Sequence, residues 1–172
     1  MKNYIKSIAS VAFLAIMANT SHAAKSVTIG ELQNFVGPLE SMIGEMTGAV
    51  HLAVDEANAS GAYLQGTINV VTADSTCGDP AIAIAEAEKM INVDNVIAIM
   101  GPNCSAITTA VINAVYAPNG VVGISPSATS PAIDALADGG FFFRTAPPDT
   151  KQGPALSKIA MTRGQTDMAV TC

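Results

Sequence analysis

The chain has 172 residues, with 14 acidic and 8 basic side chains for a formal charge of −6, no tryptophan and few aromatic rings. Scattered acidity of this kind excludes a nucleic-acid binder, which needs a basic stripe. The shortage of rings argues against a sugar cleft walled by stacked aromatic faces.

The chain opens Met1-Lys2-Asn3-Tyr4-Ile5-Lys6, runs on through an apolar stretch from Ile8 to Ala18, and reads Ser21-His22-Ala23 before Lys25. A basic start, a short apolar run and a small-x-small site make residues 1–23 a signal peptide cleaved after Ala23. The run is only about half of the roughly twenty residues that span a bilayer. No cysteine stands at the junction for lipid attachment. Removing the leader takes away Lys2 and Lys6 and no acid, moving the charge from −6 to −8. The remainder is long enough for one ordinary domain with a real core.

From there β-rich runs alternate with helical ones, the pattern of an α/β fold in which helices pack on a parallel sheet. Val27 to Leu32 predicts the first strand. A helix from about Gly44 to Ala59 follows, with Val50, Ala53, Val54 and Ala57 on one apolar stripe. Thr67 to Ala73 predicts the second strand, and Asp79-Pro80, a cap before a proline at the first helical position, opens a helix to about Asn92. Its buried face is Ala83, Ala87, Met90 and Ile91. Val96 to Met100 predicts the third strand, and Ser105 to about Ala117 a helix with Ile107, Ala110, Val111, Ala114 and Val115 inward. Val121 to Ser125 and Phe141 to Thr145 complete five strands, with right-handed crossovers between parallel neighbours. Lys151 to Arg163 predicts a last helix with Leu156, Ile159 and Ala160 on one side, and Asp167 to Cys172 the start of another strand. A strand with no partner after it is an odd place for a domain to finish, so truncation is expected.

Chemistry by an enzyme fits these residues badly. Outside the leader the chain has one histidine, His51, inside a predicted helix, which rules out the usual zinc sets and leaves a Ser-His-Asp triad resting on one residue. Its plainest place is a partly exposed helix position. Asn103-Cys104-Ser105-Ala106-Ile107 lacks the glycines of a nucleophile elbow, and no Gly-rich phosphate loop is present. The sequence therefore predicts no catalytic residue, no metal and no cofactor.

Binding fits better, because ligands of open α/β sheets sit beyond the carboxyl ends of the strands. Gly101-Pro102-Asn103-Cys104-Ser105 runs off the third strand into a helix, with Ser105 as N-cap. The free N–H groups of that first turn suit a carboxylate. Ser125-Pro126-Ser127-Ala128-Thr129-Ser130-Pro131 follows the neighbouring fourth strand, and its hydroxyls and carbonyls suit an ammonium. Either loop alone reads as ordinary capping and turn chemistry. Together they predict a clamp for a zwitterion.

These loops, with Tyr116, Gly120 to Ser125 and the run Phe143-Arg144-Thr145-Ala146-Pro147-Pro148 to Gln152-Gly153-Pro154, resemble the leucine/isoleucine/valine-binding proteins, type I periplasmic binding proteins. The resemblance covers most of the chain after the leader. It implies a ligand site at Cys104, Ser105, Ser127, Ala128 and Thr129. In it Ser105 holds the carboxylate, the backbone of Ser127 takes the ammonium and the Thr129 hydroxyl completes the grip. The helix between the loops is one residue longer than in familiar members, and the spacing near Met42, Ile43 and Gly44, where a bulky pocket side chain often stands, is shifted. Further implications are a two-lobed protein about twice this length, residues 24–148 forming the first lobe and 149–172 the crossover helix and first strand of the second. Its lobes would close on a branched-chain or related small amino acid. It would then be a monomer that hands its ligand to the membrane permease of an ABC transporter in the periplasm. A sensory or regulatory receptor of the same fold is the alternative, since fold alone does not separate the two.

The family also carries cysteines matching Cys77 and Cys104. Export places both thiols in an oxidising compartment, one after the second strand and one after the third, expected to neighbour it, and a disulfide between them is predicted.

Overall fold

The computed structural model describes residues 25–37, 39–61, 63 and 66–169. The expected leader and residues 170–172 lie outside these. Five strands stand where the sequence places them: β1 (Val27–Gln33), β2 (Ile68–Asp74), β3 (Ala98–Met100), β4 (Val122–Ser125) and β5 (Phe142–Arg144). Every neighbouring pair is parallel, in the order β2-β1-β3-β4-β5. The second and third strands are therefore not neighbours, contrary to the expectation. The chain winds outward from β1 to β2, then crosses back over β1 to lay down β3 on its other side. Strand order reverses between β1 and β3, and with one handedness throughout the connecting helices must change face there.

Helix α1 (Glu40–Ser60) connects β1 to β2 on one face, while α2 (Pro80–Asn92) and α3 (Ser105–Val111) cover the other. The apolar core lies on the second face. Leu32 and Ile99 of the sheet meet Ala83, Ala87 and Met90 of α2, and Ile107 and Val111 of α3. Asp79 caps α2 by accepting the Ala81 N–H at 2.8 Å, with Pro80 in the first turn. Helix α3 runs on through a π turn (Ile112–Tyr116) and a last turn (Ala117–Asn119), which ends at Gly120 in the left-handed region. A π turn accommodates one more residue than an α turn. Beyond it β4 pairs with β3 in parallel, Ala98 opposite Val122 through Met100 opposite Ile124.

Other expectations change as well, and Ala114, expected to face inward, is exposed. The α1 stripe is not a full core face: Val50, Val54 and Ala57 are half-buried, Ala53 is exposed and Ile43 is the buried residue of that helix. What α1 turns to the sheet is largely polar. Thr47 meets Gln33, His51 approaches Glu31, and Asn58 bonds the N–H and C=O of Ile68 at 2.8 and 3.0 Å. The helix α4 (Asp149–Thr162) forms, yet Leu156 and Ile159 on its expected inward side are 54% and 48% exposed. Finally, of the expected strand Asp167 to Cys172 only 167–169 lie among the described residues, and these are not in a strand. An extended run becomes a strand only when a neighbour completes its hydrogen bonds, and no described strand pairs with it.

Candidate functional site

At the carboxyl ends of β1 and β3, where strand order reverses, a cleft of about 400 Å³ opens. Leu39, Met42, Ile43 and Met46, at the start of α1, form one wall, and Asn103, Cys104, Ser105 and Ser127 form the other. The apolar wall comes from the segment around Met42 and Ile43. Three of the predicted site residues, Cys104, Ser105 and Ser127, are brought together here. Thr129 is not among this lining; it faces an adjoining groove with Pro147, Pro148, Asp149, Lys151 and Gln152. The Ala128 side chain is buried in the core.

The Gly101–Ser105 loop leaves β3 by a turn that requires glycine. Gly101 has φ +119, and a Cβ there would collide with the Leu32 carbonyl of β1. Its bond to Pro102 is cis. Beneath the loop, the Tyr116 hydroxyl, delivered by the π turn, donates to the Gly101 carbonyl at 3.1 Å. Burial alone pushes this phenol far above its ordinary range. Gly123 of β4 makes room for the ring, since a Cβ at 123 would overlap it. Thr108 donates to the Pro102 carbonyl at 3.1 Å from within α3.

The second loop is tied to the first. Ser125 donates to the Pro102 carbonyl, and its oxygen accepts the Ala128 N–H at 3.0 Å. Ser127 Oγ donates to the Asn103 carbonyl at 3.1 Å. Ser105 Oγ accepts the Ser130 N–H at 3.1 Å. Ser105 is the first helical residue and not the N-cap, a place held by Cys104. Local capping chemistry shows how a serine can serve its own helix, but not that another loop will bring a donor to it. The exchange is useful, because a hydroxyl that accepts one bond keeps its own proton to donate.

Cys104 is bonded to Cys77, with Cα atoms 5.7 Å apart. Cys77 follows β2 and Cys104 follows β3, so the disulfide passes over the carboxyl end of the intervening β1. Farther along, Arg144 at the end of β5 donates to the carbonyls of Ala128 (3.2 Å) and Ser130 (2.9 Å) and pairs with Asp134 in the 3-10 turn Pro131–Ala135. This arginine is a pin for the second loop that the sequence reading leaves without a role. Both backbone polar groups of Ala128 have partners within the described residues, and its side chain is not part of the cleft lining.

A polar layer lies between β1 and α1. Glu31 and Gln33 point to the α1 face, both fully buried, and Gln33 Nε2 donates to Glu31 Oε1. Thr72 donates to Glu31 Oε2 at 3.3 Å, and His51 Nε2, on a half-exposed ring, lies 3.5 Å from the same oxygen. Asn103 Nδ2 donates to Gln33 Oε1 at 3.2 Å, linking this layer to the cleft. Polar letters at 31 and 33 in a central parallel strand, and at 34 just past its end, are the available signal, since such strands are ordinarily apolar throughout. Among the described residues no group of three or more His, Cys, Asp or Glu side chains is placed to hold a metal ion.

Residues 45–168 match the family described as the receptor family ligand binding region. Two curated proteins of Pseudomonas aeruginosa are similar. The "Amino acid binding protein" is 30% identical over 88% of this chain and 40% of its own length. The "Leucine-, isoleucine-, valine-, threonine-, and alanine-binding protein" is 33% identical over 87% and 39%. Among solved structures, the branched-chain amino acid transporter substrate binding protein of Streptococcus pneumoniae, in complex with isoleucine, superposes with a TM-score of 0.69 at 31% identity. That match covers 79% of this chain and 38% of that one. The chain thus spans about 40% of the length of the curated relatives it matches.

Proposed function

We propose, given that this chain belongs to the receptor family ligand binding region, that it is the ligand-binding lobe of an exported substrate-binding protein. In this reading the protein captures branched-chain or related small amino acids and delivers them to the membrane permease of an ABC transporter. The observation that carries it is the pair of polar loops on the adjacent strands β3 and β4, fastened to each other and set opposite an apolar wall. A free amino acid needs those three surfaces: a place for its carboxylate, one for its ammonium and one for its side chain. The names of the similar Pseudomonas proteins and the isoleucine held by the Streptococcus neighbour support the same ligand class.

The first turn of α3 and the Ser105 hydroxyl receive the carboxylate, helped by unpaired N–H groups and the helix dipole. The Ser127 carbonyl accepts from the ammonium, and the Thr129 hydroxyl completes the polar grip from the adjoining groove. Residues 1–23 direct export to the periplasm and are removed. Residues 24–148 form this lobe, and 149–172 lead into a second lobe that closes over the ligand by hinge motion, in a monomer. The relatives are named as binding proteins, and no step of this reading requires catalysis.

Isothermal titration of the full-length protein with free leucine, isoleucine and valine, and with their methyl esters and N-acetyl forms, is the test. The free zwitterions bind and the blocked forms do not. Ser105→Ala removes a charge-assisted hydrogen bond and weakens affinity about ten- to a hundredfold. Esters that bind as well as the free acids would refute the clamp.

A further inference from the structure

Four buried side-chain atoms have no hydrogen-bond partner among the described residues: Asn34 Nδ2 and Oδ1, Ser75 Oγ and Asn103 Oδ1. Their positions are not scattered. Ser75, Asn34 and Asn103 follow β2, β1 and β3, three strands that stand side by side in that order at the end of the sheet that bears the cleft. A buried polar group without a partner is costly, so a row of them marks a place completed by something else. Asn103 belongs to the cleft lining itself.

The orientation of the Asn103 carboxamide is fixed from a distance. A carboxylate only accepts, so the buried Glu31 obliges Gln33 to turn its NH₂ toward it. Both N–H groups of Gln33 are then used, on Glu31 and on Thr47 at 3.4 Å, and its oxygen faces Asn103. Asn103 must answer with its own NH₂, at 3.2 Å, which leaves Oδ1 as the end without a partner. The second N–H of that amide meets only the Met46 sulfur, at 3.0 Å, a weak acceptor on an unbranched, easily turned side chain. Met46 therefore sits over a carboxamide whose oxygen is unsatisfied and whose nitrogen is poorly satisfied.

We infer that Asn103 is a specificity-determining residue whose carboxamide oxygen accepts a hydrogen bond from the side chain of the bound amino acid, with Met46 giving way. The cleft accordingly prefers small amino acids bearing a hydroxyl or carboxamide donor over aliphatic ones of the same shape. Glu31 acts as a positioning residue, holding the Gln33–Asn103 relay so that an acceptor faces the ligand. This rests on the amino-acid reading above and narrows it.

Threonine and valine have the same outline and exchange a hydroxyl for a methyl, so their affinities for the full-length protein, measured by calorimetry, isolate the effect. Threonine binds about ten- to a hundredfold more tightly than valine. Asn103→Leu reverses the order. Glu31→Gln lets the relay flip and narrows the threonine-to-valine ratio, whereas damage that is only structural weakens both ligands alike. Valine bound as tightly as threonine by the unmodified protein would overturn this inference and leave the amino-acid reading standing. Failure of every free α-amino acid to bind would overturn both.

Discussion

Tyr116 offers a test of the scaffold under the cleft that needs no ligand. Its ring is wholly buried between α3 and β4, and its hydroxyl donates to the Gly101 carbonyl at 3.1 Å. Tyr116→Phe keeps the ring, removes the bond and leaves a buried carbonyl short of a partner, a loss of about 1 to 2 kcal/mol at neutral pH. A second consequence follows from protonation. An unfolded tyrosine ionises near pH 10, whereas burial raises the folded group well above that value. The native state therefore keeps the proton that the unfolded state gives up. The raised pKa contributes stability that is fully present below about pH 10 and is lost as pH rises above it, at about 1.4 kcal/mol per pH unit. Urea unfolding of the native and Tyr116→Phe proteins at intervals from pH 7 to 11 measures both effects. The two stability curves start apart at pH 7 and converge above pH 10, because the variant has no phenol to ionise. Curves that stay parallel through pH 11 would refute the burial argument.

Two further outcomes follow from the same region. Gly123→Ala forces a Cβ into the Tyr116 ring, which is fixed by the π turn and its hydrogen bond. It lowers stability by about 1 to 3 kcal/mol, read as a fall in thermal midpoint; an unchanged midpoint would show that the ring has room to move. Reducing the Cys77–Cys104 bond, whose cysteines are 27 residues apart, lowers stability by about 3.5 kcal/mol in the chain-entropy model. Superimposable urea curves with and without reductant, in samples whose free thiols have been titrated, would contradict it.

The fold was largely legible because its signals are local. Val27 to Leu32 and Val121 to Ser125 stand out as short β-rich runs, and Asp79-Pro80 announces a helix with its own cap. The cysteine pair and the two polar loops could be placed at strand ends by the same reading. Features created by distant segments were not legible. Ser105 stands one residue past the cap, and its hydroxyl is engaged by the Ser130 N–H from 25 residues away. Thr129 is turned from the cleft by the chain returning at Asp149, whose N–H bonds the Thr129 carbonyl at 3.0 Å. The apolar spacing of α1 imitates a core face, whereas Thr47, His51 and Asn58 of the same helix answer polar groups on the sheet. Glu31 was visible as a charge inside a strand. What it does depends on Gln33 and Asn103, and the second of these is 72 residues away.

The bonds that join the loops after β3 and β4 bear on how a ligand is caught as well as where. Ser125 to Pro102, Ser127 to Asn103 and Ser130 to Ser105 stitch the two segments into one rigid edge, with Arg144 behind and a disulfide in front. An edge already in its binding shape has little conformational freedom left to lose when the ligand arrives, so most of the gross contact energy survives as affinity. In the proposed function, encounter with a ligand then needs no rearrangement of the two loops, and differences in affinity between ligands fall chiefly on the lifetime of the complex.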